Sequence, residues 1–261
     1  MELKAVGTTS LLVSPLGLGT VKFGRNQGVK YPTPFELPSD SQIDTLLQLC
    51  RELNINLIDT APAYGNSEER LGKQLADSRH DWVIMTKAGE EFIDGQSYFD
   101  FSKHALTRSI ERSLKRLNTD YLDIVLIHSN GEDKKIIVED EALFTLAQLK
   151  QKGWIRAIGM STKTIEGGLL ALDHSDIAMV SYQPLYTEEQ VILDKALQLK
   201  KGIFIKKGLL SGHLKQIASQ DPVKTTLEFI FKHPAVSSLV VGTLNPQHLK
   251  ENAHWVSEAL A

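Results

Sequence analysis

Cysteine is nearly missing from this chain of 261 residues: Cys50 stands alone. One thiol cannot close an internal disulfide, so a reducing compartment and a cytoplasmic location are expected. Long apolar runs are missing as well. No stretch reaches the roughly 18 uninterrupted apolar residues that a membrane span needs. Met1 to Val6 carries Glu2, and Leu11-Leu12-Val13 is cut by Ser14-Pro15, too short for a signal peptide core, so no targeting segment is expected. A charge excess is missing too. The 29 Lys and Arg against 32 Asp and Glu leave −3, which offers no field for nucleic acid or an anionic membrane. Aromatic residues make up only 7%, yet the 42% hydrophobic content is that of an ordinary globular chain. Low-complexity linkers and composition breaks are absent, so residues 1–261 are expected to form one domain.

What is present is an alternation. Leu3 to Val6 and Ser10 to Val13 flank Gly7-Thr8-Thr9 and predict an N-terminal hairpin. Eight apolar runs follow: Leu16–Leu18, Leu57–Ile58, Trp82–Met85, Ile124–Ile127, Ile155–Ile158, Ile177–Val180, Ile203–Ile205 and Leu239–Val241. Amphipathic stretches lie between them, such as Leu106, Ile110, Leu114, Leu117, or Leu143, Leu146, Ala147, Lys150. Leu249, Ala253, Val256, Leu260 closes the chain. Strands alternating with helices argue for parallel βαβ units, and eight units in this length predict an α/β fold, a (β/α)8 TIM barrel with an N-terminal β-hairpin. The competing open doubly wound sheet calls for a glycine fingerprint after the first strand. Gly17-Leu18-Gly19-Thr20 has the wrong spacing for it. Cys50 shares a helical face with Ile43, Leu46, Leu47 and Leu53, which favours a buried core residue over a reactive thiol.

Chemistry in such barrels sits where the strands end. The runs end in Asp59, Thr86-Lys87, His128, Ser161-Thr162, Gln183, Lys206-Lys207 and Thr243, which implies a polar ring around one mouth. Tyr64 joins it from the loop after Asp59. An aspartate beside a buried lysine forms an ion pair. A lysine cation next to a phenol lowers its pKa, and a phenol so tuned can pass a proton to a carbonyl oxygen. A histidine at the same mouth can hydrogen-bond that oxygen. Each residue alone is more often a cap or surface group; three at successive strand ends, with a tyrosine, read as equipment for carbonyl reduction.

Several segments resemble the aldo-keto reductase superfamily. They are Leu57-Ile58-Asp59-Thr60-Ala61-Pro62-Ala63-Tyr64-Gly65 with Ser67-Glu68 and Leu71-Gly72, Met85-Thr86-Lys87, Asp120-Tyr121-Leu122-Asp123 running to His128-Ser129, and Ile155 to Ser161. The order matches over nearly the whole chain. The resemblance implies a hairpin-closed barrel that reduces aldehydes or ketones to alcohols with NADPH or NADH by direct hydride transfer. It implies a catalytic tetrad of Asp59, Tyr64, Lys87 and His128, with Tyr64 as general acid and no metal. The eight histidines include no close metal-type pair.

By matching position the resemblance also implies cofactor contacts. Ser161, Thr162 and Gln183 would hold the nicotinamide amide, with Thr162 where many relatives carry Asn, and Thr20 would lie near the first strand end. Leu209, Ser211 and Gly212 would wrap the pyrophosphate. Gly242, Thr243, His248, Glu251 and Asn252 would surround the adenosine and its 2′-phosphate. Two departures stand out. Lys206-Lys207-Gly208-Leu209 replaces an aromatic-Ser-Pro-Leu run, so a stacking ring is lost and Lys206 is open to pyrophosphate or to an acidic substrate. No Arg or Lys stands at Gly242 or His248 to hold a 2′-phosphate, so NADP(H) is only slightly favoured over NAD(H), by family habit.

Aromatic residues in the loops 24–38 and 88–101, among them Tyr31, Phe35, Phe92, Tyr98, Phe99 and Phe101, would either line a substrate pocket or pack the loops. The chain stops soon after its last predicted helix, where many relatives continue into a loop over the pocket, which suggests an open, permissive site. The partner expected is a small aldehyde or ketone, with no nucleic acid or membrane, and the protein is expected to be a monomer or weak homo-oligomer. Two other functions stay open. One is a Schiff-base enzyme using Lys87, which borohydride trapping would reveal. The other is a cofactor-binding sensor indifferent to Tyr64→Phe.

Overall fold

A computed structural model describes residues Met1–Ala261. Eight parallel strands close into a barrel in the order β3 (Leu16–Gly19), β4 (Leu57–Asp59), β5 (Val83–Ala88), β8 (Leu122–His128), β9 (Ile155–Ser161), β10 (Ile177–Ser181), β11 (Gly202–Lys206) and β12 (Val236–Val241). The ring shuts where Leu239, Val240 and Val241 pair with Leu16, Gly17 and Leu18. Each of the eight apolar runs lies on one of these strands. Trp82 falls just outside β5, and β12 begins earlier than expected because Ser237 and Ser238 break its apolar run. The open-sheet alternative is excluded by that closure.

The strands read as unbroken apolar runs because both of their faces are covered. With a period of 2, one set of side chains points into the barrel and the other meets the helices. Leu57, Met85, Ile124, Leu126, Met179 and Phe204 pack inside. Ile58, Ile84, Val125, Ile127, Val180 and Ile205 pack outward. The N-terminal hairpin, β1 (Lys4–Ala5) with β2 (Leu12–Val13), places Val6, Leu11 and Val13 in the interior cluster. Lys4 Nζ donates to Val236 O at 2.6 Å at the start of β12, so the hairpin plugs the end where strands begin. The opposite end is the mouth.

Helices wrap the ring. They are α1 (Val21–Gly24), α2 (Asp40–Glu52), α3 (Ser67–Gln74), α4 (Lys103–Arg116), α5 (Asp133–Val138), α6 (Ala142–Gln151), α7 (Ile165–His174), α8 (Gln190–Leu199), α9 (Pro222–Phe231) and α10 (Pro246–Ala259). The start of α2 is fixed by a capping box between Ser39 and Gln42. Its inner face buries Ile43, Leu46, Leu47 and Cys50, so Cys50 is a core residue, and burial pushes its thiol up to about 12.

One segment expected as a loop is a second hairpin. β6 (Glu90–Ile93) and β7 (Gln96–Phe99) pair antiparallel across Asp94-Gly95, both at positive φ. An Asp-Gly pair between alternating residues is the signal of a two-residue hairpin turn, and it is there in the sequence. This hairpin rises from the end of β5 beside the mouth. Residues 25–38 contain no helix or strand.

Candidate active site at the barrel mouth

The mouth opens into a cavity of about 660 Å³ lined by Asp59, Tyr64, Lys87 and His128. That is the size of a small-molecule or cofactor pocket. Asp59 ends β4, Lys87 lies near the end of β5 and His128 ends β8, so three adjacent parallel strands deliver three polar side chains to one place. Lys87 Nζ pairs with Asp59 Oδ1 and donates to Thr60 O at 2.9 Å. The ammonium also sits 4.7 Å from the centre of the Tyr64 ring. Tyr64 Oη donates to Asp59 Oδ2 at 3.5 Å.

The loop that carries Tyr64 is tightly specified. Tyr64 N donates to Ala61 O at 3.0 Å, and Arg25 Nη1 donates to Ala63 O at 3.1 Å. Gly65 has a φ of +63°, and a Cβ there would fall on the Gly24 carbonyl. Only glycine fits that turn against that neighbour.

The electrostatics of Tyr64 differ from the expectation that Lys87 lowers its pKa. Burial raises the phenol pKa well above its ordinary value, and Asp59, Tyr31 and Glu90 add to the rise. The physical reason is that Lys87 is already committed to Asp59 and Thr60, while the phenol faces carboxylates. Tyr64 is therefore held protonated in the open cavity. Tyr31, a second phenol on the cavity wall, is pushed up to about 12 by burial and by Asp59.

His128 stands with its ring edge-on to Tyr64, centroids 6.3 Å apart. Its Nδ1 lies 2.6 Å from Glu90 Oε2 on β6, an ion-pair contact without the alignment of a good hydrogen bond. Burial lowers the imidazole pKa, Lys87 and Lys206 lower it further, and Glu90 opposes them.

The remaining expected site residues divide. Ser161, Lys206, Leu209, Ser211 and Gly212 line the cavity. So do Gly242, Thr243, His248, Glu251 and Asn252. Thr20, Thr162 and Gln183 are buried behind the lining. The Thr20 hydroxyl donates to Asp59 O at 2.9 Å and accepts from Ser67 Oγ at 2.8 Å, which makes it a brace for the end of β4. Gln183 Oε1 accepts from Leu185 N at 2.7 Å. Thr162 Oγ1 is buried with no hydrogen-bond partner, and the Thr162 carbonyl accepts from Lys206 Nζ.

The donor set fits a dinucleotide. Lys206 Nζ also donates to Ser161 Oγ at 2.9 Å, yet no carboxylate pairs with it. Lys163 and Lys207 share the wall, and Lys30 stands close enough to Lys207 to help lower its pKa. Burial and the neighbouring Lys207 bring Lys206 down to about 7. Glu189 and Asp133 act on Lys206 from a distance, but none of these lysines forms an ion pair, and such a group is suited to receive an anion. No Arg or Lys stands at Gly242 or His248; Glu251 lines the cavity there, accepting from Gln247 Nε2 at 3.0 Å, and Lys22 lies 3.9 Å from the centre of the Tyr31 ring, whose hydroxyl borders Gly242.

Sequence reasoning missed Glu90, Lys163 and Asp133. Asp133, buried at the start of α5 (Asp133–Val138), accepts from Lys163 N, Thr164 N and Thr164 Oγ1 at 2.7–2.8 Å. It fixes the loop after β9. Glu90 had a usable signal, since the Asp-Gly turn predicts the strand it sits on; Asp133 had none, because its partners are distant in sequence. Among the loop aromatics, Tyr31 lines the cavity. Phe92 stacks on the Arg25 guanidinium, 3.3 Å from it, Phe99 and Phe101 stack on each other, and Tyr98 is exposed, so these four pack loops or face solvent.

Known proteins are similar to this chain over most of its length. The profile of the Aldo/keto reductase family matches residues 15–194. YqkF of Bacillus subtilis, described as an uncharacterized oxidoreductase, is 26% identical over 97% of this chain and 90% of its own. The NADH-specific methylglyoxal reductase of Escherichia coli is 32% identical over 74% of this chain and 60% of its own. A solved Pseudomonas aeruginosa structure, provisionally described as an aldo-keto reductase, shares 49% identity with a TM-score of 0.91, covering 99% of this chain and 96% of that one. With family profile, relatives and barrel geometry in agreement, the chain belongs to the aldo/keto reductase family.

Proposed function

We propose that this protein reduces small aldehydes or ketones to alcohols with a nicotinamide dinucleotide, using Tyr64 as general acid. The observation that carries the reading is the buried Lys87–Asp59 pair with the Tyr64 hydroxyl against it, inside a cavity that also holds His128 and the lysine group. The bound cofactor supplies the hydride. Tyr64 keeps its proton at Oη until a carbonyl oxygen gains negative charge, then gives it up. Lys87 stays next to the phenol ring and stabilises the charge left there. Asp59 holds Lys87 in place, and His128 orients the oxygen. Ala61, whose carbonyl accepts from Tyr64 N, and Gly65 keep Tyr64 on the correct side of the cavity.

Lys206, Lys207 and Lys163 would hold the dinucleotide phosphates, and Ser161 the nicotinamide amide. Thr162 Oγ1, buried and unpartnered, would gain a partner when the amide arrives. NADP(H) is proposed with a slight preference over NAD(H). The preference is proposed as slight because a 2′-phosphate is held best by Arg or Lys, and neither Gly242 nor His248 is one. The relatives' own substrates include methylglyoxal and L-galactose by name, and we extend to this chain only the class, small polar carbonyls. The protein is proposed to act as a single barrel, in the cytoplasm, and no helix is long and apolar enough to cross a membrane.

Fluorescence titration with NADPH and NADH tests the cofactor reading. Binding of both, within about tenfold of each other, is expected. Binding of neither would overturn it.

A further inference from the structure

Glu90 has no place in the tetrad, yet it makes the only carboxylate contact to His128. It stands on β6, and Ser97 Oγ of β7 donates to its Oε1 at 2.6 Å, so the mouth hairpin holds the carboxylate from both strands. Its Oε2 is the atom 2.6 Å from His128 Nδ1. Burial pushes the Glu90 carboxyl up, but His128, Ser97 and Arg25 outweigh burial and hold it down at about 2. The contact is not aligned as a hydrogen bond, but an ionised carboxylate this close to Nδ1 favours the imidazole proton on that nitrogen by charge alone. In a neutral imidazole one nitrogen carries the proton and the other is bare.

We infer that Glu90 is a positioning residue that fixes His128 in its Nδ1–H tautomer and so presents a bare Nε2 to the cavity. The consequence for turnover rests on the carbonyl-reductase reading above. A bare Nε2 accepts a hydrogen bond, which suits the hydroxyl of an alcohol. A carbonyl oxygen has no proton to give, and Nε2 can donate to it only when the ring is an imidazolium. Neutral His128 therefore favours the alcohol, and protonated His128, paired with Glu90, favours the carbonyl.

Four groups face this ring from four elements. Glu90 on β6 holds the proton on; Lys87 on β5 and Lys206 on β11 push it off; Tyr64, from the loop after β4, is neutral. Asp59 behind Tyr64 is already paired with Lys87. Carbonyl reduction is thus expected to fall as pH rises through the titration of His128. Removing the Glu90 charge moves that limb to lower pH.

Imidazole ¹⁵N–¹H correlations on the ¹⁵N-labelled protein, without substrate and above the His128 titration, test the tautomer directly. Wild type is expected to show Nδ1–H. In E90Q the side chain keeps its shape but loses its charge, so the limb of the reduction profile drops by about one pH unit or more. In E90A the ring is expected to shift towards Nε2–H. A wild-type Nε2–H signal overturns the inference, and so does an E90A spectrum identical to wild type. The wild-type spectrum decides even if E90A misfolds. Absence of carbonyl reduction alongside an intact Nδ1–H signal would refute the proposed function and leave the role of Glu90 standing.

Discussion

The Lys87 ammonium meets the Asp59 carboxylate across neighbouring strands, with the two side chains 2% and 6% exposed. Nothing else in the cavity neutralises that carboxylate, since Tyr64 only donates a long hydrogen bond to it. The pair therefore belongs to the barrel as well as to the proposed chemistry.

Removing the lysine alone would strand a buried charge. Lys87→Met is expected to lower the unfolding free energy by about 3–5 kcal/mol, the usual cost of breaking a buried pair from one side. Denaturant melts read the loss. The double variant Lys87→Met, Asp59→Leu is expected to recover much of it, because an apolar pair replaces the ion pair. A single variant as stable as wild type would contradict the pairing.

Gly65 sets where Tyr64 points. Its positive φ and the Gly24 carbonyl exclude a side chain. Gly65→Ala is expected to cost roughly 1–3 kcal/mol of stability and to lower turnover more than it lowers cofactor affinity. Paired thermal melts and steady-state kinetics check this. A variant with unchanged turnover would show that the turn does not set the position of the phenol.

The barrel was legible in the sequence, and so was the convergence of Asp59, Lys87 and His128 at one mouth. Eight apolar runs, buried on both faces, become eight strands, and Asp59, Lys87 and His128 fall at adjacent strand ends because parallel strands all end at one mouth. Less legible were contacts made by segments far apart in sequence. Asp133 caps a loop some thirty positions on. Glu90 reaches His128 through a hairpin whose turn was in plain view at Asp94-Gly95. The position of Thr20 behind the wall depends on Ser67, which no periodicity links to it. Charge was legible as residue type and not as state: the tuning of Tyr64 depends on what Lys87 is already bonded to.

If Lys206 holds the cofactor phosphates as proposed, cofactor binding is expected to depend on pH. With its pKa at about 7, it is charged below that pH and neutral above it while the cavity is empty. An anion bound beside it raises that pKa, so affinity is full below pH 7 and is lost as pH rises through the raised value. NADH, which lacks the titrating 2′-phosphate, is the ligand to use. Its dissociation constant is expected to rise between pH 6 and 9 (roughly tenfold for each unit of upward pKa shift), and Lys206→Met is expected to flatten the curve. A wild-type curve already flat would place Lys206 away from the phosphates.

The central claim is that Tyr64 gives its proton to the substrate oxygen. Single-turnover reduction by preformed enzyme–NADPH complex, compared between wild type and Tyr64→Phe, tests it most directly. The hydride step is expected to slow by at least about 10²-fold, with NADPH affinity by fluorescence unchanged. A Tyr64→Phe enzyme that reduces carbonyl substrate at the wild-type single-turnover rate would contradict the account.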